Sequence, residues 1–105
     1  MAVVEVSPGV CGFCTRIVGT ADDMYNVKLE ITSDCQHIRQ LAEQLQEVSA
    51  FQELRLPINE TTPYRLAAAC KTHAACPIPS AIIKAIEVAA GMALPADVHM
   101  TITRD

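Results

Sequence analysis

The chain has 105 residues, of which 50% are hydrophobic and 19% charged, so it is predicted to form one globular domain spanning residues 1–105. Its net charge is −4 and its eight basic residues are scattered, which argues against a nucleic-acid partner. No apolar run is long enough to span a membrane, and the first residues lack the pattern of a signal peptide. With five cysteines and no export signal, we expect a cytoplasmic protein with reduced thiols and no membrane partner; the oligomeric state stays open.

The first third of the chain is predicted to form three β-strands. Residues 3–6 are rich in valine and precede the turn-forming pair Pro8-Gly9. Residues 15–20 and 27–32 are separated by Asp and Asn residues that favour a turn. The later segment alternates strictly, which predicts a hairpin with one buried face carrying Val27, Leu29 and Ile31.

Three helices are predicted after the hairpin. Ser33 and Asp34 are good N-cap residues, and they precede a helix whose apolar face comprises Ile38, Leu41, Ala42, Leu45 and Val48. A shorter helix is predicted over residues 63–71. Residues 76–79 contain two prolines and are predicted to be extended, because proline disfavours the helical conformation in the residue before it. A largely buried helix is predicted over residues 80–91, where Gly91 is a stop signal.

The last predicted element is a strand in which apolar and polar residues alternate from Val98 to Thr103. The order β-β-β-α-α-α-β predicts an α+β fold with two layers, a mostly antiparallel sheet and helices on one face. The hairpin face described above is then expected to form one core with Val98, Met100 and Ile102. We expect this core to be covered by the helices that carry Leu41, Leu45, Ile82 and Ile86.

Three cysteines and one histidine lie close to the predicted ends of strands and helices. They are Cys11, Cys35, His73 and Cys76. Three thiolates and an imidazole complete a tetrahedral zinc site, and they equally suit an iron–sulfur cluster. We therefore predict that the three sulfur atoms and a ring nitrogen of His73 converge on one metal site.

The other thiols have structural alternatives. Cys11 and Cys14 form a C-x-x-C pair, but a redox pair of the thioredoxin type opens a helix, whereas a strand is predicted here. Cys14 is thus either a secondary metal ligand or a small core residue. Cys70 lies in an alanine-rich helical run, so core packing is at least as well supported for it as a secondary ligand role.

Structural alternatives also remain for Cys35 and His73. Cys35 is predicted at a helix N-terminus, which favours a thiolate, although burial in the core is the alternative. His73 has the H-x-x-C spacing of metal ligands, and an exposed or core role is its alternative. His37 and His99 are predicted to be surface residues.

The arrangement resembles the iron–sulfur cluster scaffold proteins of the NifU/IscU type. The resemblance lies in Cys11-Gly12 before a hairpin, Cys35 at a helix start, and a His and a Cys before a late helix. The chain also resembles a group of short bacterial and archaeal proteins with Cys-Gly-Phe, Ser-Asp-Cys and His-x-x-Cys-Pro segments. Phe13 replaces the usual Asp of the scaffolds, and two alanines separate His73 from Cys76. The resemblance implies a shared fold and metal site more strongly than a scaffold activity.

Three functional classes follow from these residues. The first is a metal-binding protein that is not catalytic or only weakly so, in which an iron–sulfur cluster is preferred to zinc because Pro77 follows Cys76. Its expected partners are other iron–sulfur or redox proteins. The second is a structural zinc domain that serves an interaction. The third is a thiol enzyme that uses Cys35 or Cys76 as its nucleophile.

Overall fold

Three antiparallel strands open the chain, in a computed structural model that describes all 105 residues. They are β1 (Ala2–Val6), β2 (Thr15–Ala21) and β3 (Asn26–Ser33), and β2 lies between the other two. Ile17 of β2 lies opposite Val4 of β1 and Ile31 of β3, and it is completely buried. The predicted hairpin and its buried face are therefore confirmed.

The first helix is shorter than predicted, because the fourth strand follows it closely. Helix α1 (Gln36–Gln44) ends at Leu45, whose backbone leaves the helical region while its side chain stays buried. Strand β4 (Glu47–Ser49) then pairs with β3, where Val48 lies opposite Val27. Val48 was predicted on the helix face. It reaches the same core from a strand.

Three further α-helices and one short 3-10 helix complete the second layer. Helix α2 (Ala50–Glu53) and a short 3-10 helix (Ile58–Glu60) lead to α3 (Thr62–Ala69), close to the predicted bounds. Helix α4 (Ile78–Ala89) begins earlier than predicted, because proline is tolerated in the first turn, where amide groups have no helical partner. The residues predicted as an extended connection are thus partly helical.

Two layers enclose one core, which confirms the α+β class with an antiparallel sheet. Helix α4 packs on β1 and β2, whereas α1 packs on β3. Four predicted helical core residues are buried: Leu41, Leu45, Ile82 and Ile86. The longest helix has 12 residues, and no helix has the length and apolar character needed to cross a membrane.

The predicted last strand is wrong. Residues 92–105 contain no helix or strand, and every residue from 94 to 105 is exposed. Val98, Met100 and Ile102 are 62%, 74% and 87% exposed, so they do not share the core face of the hairpin. Alternation identifies a segment suited to a sheet, but it does not supply a neighbouring strand in the same chain.

Leu45→Ala tests the core. Leu45 is 1% exposed, so the loss of its side chain leaves a cavity beside α1, and we expect the free energy of unfolding to fall by about 2–5 kcal/mol. Urea denaturation followed by circular dichroism measures this change. The matched control is Leu94→Ala, since Leu94 is 89% exposed and its truncation should cost less than about 0.5 kcal/mol. Equal effects of the two substitutions would contradict the described core.

Candidate metal-binding pocket

Three separate segments meet around one small pocket on the domain. They are the loop at residues 7–14, the N-terminus of α1, and the connection between α3 and α4. The cavity has a volume of about 200 Å³, and its lining is mostly apolar. Ten residues line it: Pro8, Cys11, Phe13, Cys35, His37, Ile38, Thr72, His73, Cys76 and Ile78.

Cys11 lies in a tight turn between β1 and β2. The N–H of Gly12 donates to the carbonyl oxygen of Gly9 at 3.0 Å, and Gly12 has a φ of 69°, which a residue without a side chain adopts most easily. Cys11 itself is exposed. The turn leaves its thiol at the rim of the pocket.

Cys35 is the N-cap residue of α1. Its backbone is extended, with φ −82° and ψ 124°, and its N–H donates to Ser33 Oγ at 3.1 Å. The Cys35 side chain makes no capping hydrogen bond, so its thiol is not engaged by the helix. The N-terminal end of a helix carries partial positive charge, and this end of α1 lies at the pocket.

His73 and Cys76 lie at the two ends of one turn. The N–H of Cys76 donates to the carbonyl oxygen of His73 at 3.1 Å, which closes the turn over the two intervening alanines. Both residues line the pocket, as His-x-x-Cys spacing suggested. Helix α4 begins two residues after Cys76 and fixes this side of the turn.

The pKa of Cys76 is raised. Burial is the main cause, and the nearby thiols of Cys35 and Cys11 add to it because negative charges on neighbouring sulfur atoms repel each other. A backbone N–H from Ile78 acts in the opposite direction. These three cysteines are far apart in sequence, and all of them line the same pocket.

His37 is exposed, as predicted, and it also lines the pocket. Its Nδ1 lies 2.9 Å from the carbonyl oxygen of Cys70, and a carbonyl can only accept, so Nδ1 carries the proton. In the neutral form of the ring, Nε2 is then the nitrogen with the free lone pair. Its position two residues after Cys35 is no signal in the sequence, because residues two apart on a helix normally point in different directions.

Cys14 and Cys70 lie outside this pocket. Cys14 is exposed, so its predicted core alternative is wrong, and it lines a separate shallow cavity beside Thr15 and Ser33. Cys70 is buried in the hydrophobic core, and its sulfur accepts a hydrogen bond of 3.7 Å from Gln44. The structure therefore supports the packing alternative for Cys70.

No group of three or more Cys, His, Asp or Glu side chains is arranged so that it could hold a metal ion. Tetrahedral zinc requires donor atoms roughly 3–4 Å apart. The structure thus brings the four predicted residues to one pocket, and the predicted convergence of their donor atoms on one point stays a prediction.

Comparison with known proteins gives one match. No curated protein and no solved structure matches the chain. A family of unknown function (DUF6951) matches residues 2–102, which include every residue of the pocket. The chain therefore belongs to the family of unknown function DUF6951.

Proposed function

We propose that the protein binds a metal ion or an iron–sulfur cluster through Cys11, Cys35, Cys76 and a histidine. One observation carries the proposal: three thiols and two imidazoles from three separate segments line a single pocket. Their combination of soft sulfur and imidazole donors suits zinc and iron–sulfur clusters. Calcium and magnesium are disfavoured because they require oxygen ligands.

The electrostatics of the pocket support a cationic ligand. Burial and the neighbouring thiols of Cys35 and Cys11 raise the pKa of Cys76, so formation of the Cys76 thiolate is unfavourable in the free protein. A bound cation reverses this effect because it attracts every sulfur charge at once. The apolar lining strengthens the attraction by keeping the local dielectric constant low.

The fourth donor is a choice between two histidines. Metal-bound histidines commonly donate their other ring N–H to a backbone carbonyl, which fixes the ring and its tautomer. His37 has this arrangement with the carbonyl of Cys70. We therefore take His37 as the fourth donor, with His73, the residue predicted from the sequence, as its alternative.

An iron–sulfur cluster is preferred to zinc in this proposal. The support is Pro77 after Cys76 and the resemblance to cluster scaffolds in the order of the elements. The exposed position of Cys11 leaves one side of the pocket accessible to a partner, as transfer of a cluster to other iron–sulfur or redox proteins requires. The proposal also requires a reducing compartment such as the cytoplasm, since oxidised thiols do not bind metal.

The thiol enzyme is the less favoured alternative. A nucleophilic cysteine needs a pKa below its ordinary value, and burial instead raises the pKa of Cys76. A nucleophilic role then falls to Cys35 alone. Enzymatic activity that survives chelation and requires Cys35 would establish this alternative.

Metal and sulfide analysis of anaerobically purified protein tests the proposal. We expect one cluster or one zinc ion per chain in the wild type, and loss of tight binding in Cys35→Ser and Cys76→Ser because each removes a thiolate ligand. Broad visible absorption distinguishes a cluster from zinc. Cys11→Ser should weaken binding for the same reason. Cys14→Ser is its matched control and should leave binding unchanged, since Cys14 does not line the pocket. Equal substoichiometric metal in the wild type and all variants would exclude the site.

The two histidines are separated by a pair of matched variants. His37→Gln should weaken metal binding at least about tenfold, because it removes the ring that is already oriented. His73→Gln should change the dissociation constant by less than about threefold. A competition titration against a chelator measures both values. The opposite order would assign the fourth donor to His73.

The pH dependence of stability should change sign when metal binds. Without metal, the raised pKa of Cys76 means that the unfolded chain loses its proton first, so the free energy of unfolding falls as the pH rises above about 8.5. With metal, bound thiolates are favoured, so stability rises with pH and is lost in acid. Denaturation at several pH values, with and without metal, measures both slopes. The same slope in both forms would contradict a role for Cys76 as a ligand.

A further inference from the structure

Residues 97–103, here called the terminal segment, have the pattern of a β-strand but no neighbouring strand. Val98, Met100 and Ile102 alternate with polar residues, so they lie on one side of an extended chain. All three are exposed, and no residue from 93 to 105 makes a hydrogen bond. An exposed apolar row of this kind marks a contact surface. The segment also lies almost wholly within the part of the chain that matches the family.

Strand β1 is an open edge of the sheet, and like the terminal segment it has unpaired backbone groups and incompletely covered apolar side chains. It pairs only with β2, so one row of its backbone N–H and C=O groups has no partner strand. Val4 and Val6 pack against the core from this edge but remain only half-buried. A further strand beside β1 would cover both valines and extend the apolar face of the sheet.

The other edge of the sheet fits a strand less well. Strand β4 has three residues, and α2 begins immediately after it at Ala50. Few backbone groups are therefore available there. Strand β1 has five residues and is followed by the loop at residues 7–14 and not by a helix.

The terminal segment follows α4 without joining its own sheet, which contains only β1, β2, β3 and β4, and every residue from 94 to 105 is exposed. Gly91 has a φ of 75°, and the N–H of Met92 donates to the carbonyl of Glu87, which ends the helix with a capped turn. Pro95 has a fixed φ and holds Leu94 extended. Exchange of an identical element between two copies of one chain is a low-cost route to a dimer.

We propose that the terminal segment of one chain pairs with β1 of a second copy, and that the exchange is reciprocal. Every copy carries both the strand and the edge that receives it, so a two-fold symmetric dimer satisfies both at once. Val98, Met100 and Ile102 then cover Val4 and Val6 of the other copy. The backbone groups of both strands gain hydrogen-bond partners.

Sedimentation equilibrium of the full chain tests the dimer. The wild type should have about twice the chain mass of 11.3 kDa. Met100→Lys should raise the dissociation constant of the dimer by at least about a hundredfold, because the two-fold symmetry puts two lysines into the interface. His99→Lys is the matched control, since His99 lies on the other side of the strand and should leave the dimer intact. A monomeric wild type, or a dimer unaffected by Met100→Lys, would overturn the proposal.

A mixture of carbon-13-labelled and unlabelled protein identifies the contact directly. We expect nuclear Overhauser effects between the Met100 methyl group of one chain and the Val4 or Val6 methyl groups of the other. The amide groups of β1 that do not bond to β2 should exchange slowly in the wild type and quickly in Met100→Lys. The same contacts found within a single chain, or found only with a different protein bound, would show that the second copy is not the occupant.

Discussion

Helix α4 lies directly on β1 and β2, and Gly19 of β2 faces it at close range. A Cβ atom at residue 19 would lie 3.3 Å from the carbonyl oxygen of Ala85, from Ala89 Cβ and from a methyl group of Val27. An alanine there would require these neighbours to shift by a few tenths of an ångström, and a larger side chain would require more, because packed interiors have little free volume. Cys76 comes two residues before α4, so the packing of this helix on the sheet helps to position the His73–Cys76 turn.

The start of α3, the helix that precedes the His73–Cys76 turn, depends on a buried carboxyl group. Glu53 is 7% exposed, and its two carboxyl oxygens accept hydrogen bonds from Thr62 N–H at 2.6 Å and Thr62 Oγ1 at 2.7 Å. Thr62 is the first residue of α3, so Glu53 supplies the cap that Thr61 does not provide. The helix before the pocket is thereby fixed at its start, and α1 and α4 pack along it.

Most helices and strands could be predicted because their apolar residues recur with the period of one type of element. The end of α1 and the start of α4 could not be predicted in this way. Val48 lies three residues after Leu45, so it fits the helical face of α1 even though the chain has already turned into β4. Ile78 and Pro79 were assigned to an extended segment because proline restricts the residue before it, but the first turn of a helix tolerates proline. Val98, Met100 and Ile102 show the limit of alternation: it indicates which side chains share a face and leaves the neighbouring strand unspecified.

The pocket residues also differ in whether a local sequence pattern marks them or only the tertiary structure places them there. Cys11, Cys35, His73 and Cys76 could be selected because each lies beside a turn or a helix end. His37 could not, since residues two apart on a helix normally point in different directions. At this helix end Cys35 is the extended N-cap residue, and both side chains reach the pocket.

The three cysteines of the pocket differ in the structural support of the backbone that carries them. Cys35 and Cys76 adjoin helices that pack on the core, and both are partly buried. Cys11 lies in a segment of residues 7–13 whose one internal hydrogen bond joins Gly12 to Gly9. Ordering that loop around a ligand costs backbone entropy of about 1–2 kcal/mol per residue fixed. In the proposed function, two donors on firm supports and one on a loosely bonded turn would let the pocket close on its ligand from one side, and the affinity would then depend on the loop as well as on the donor atoms.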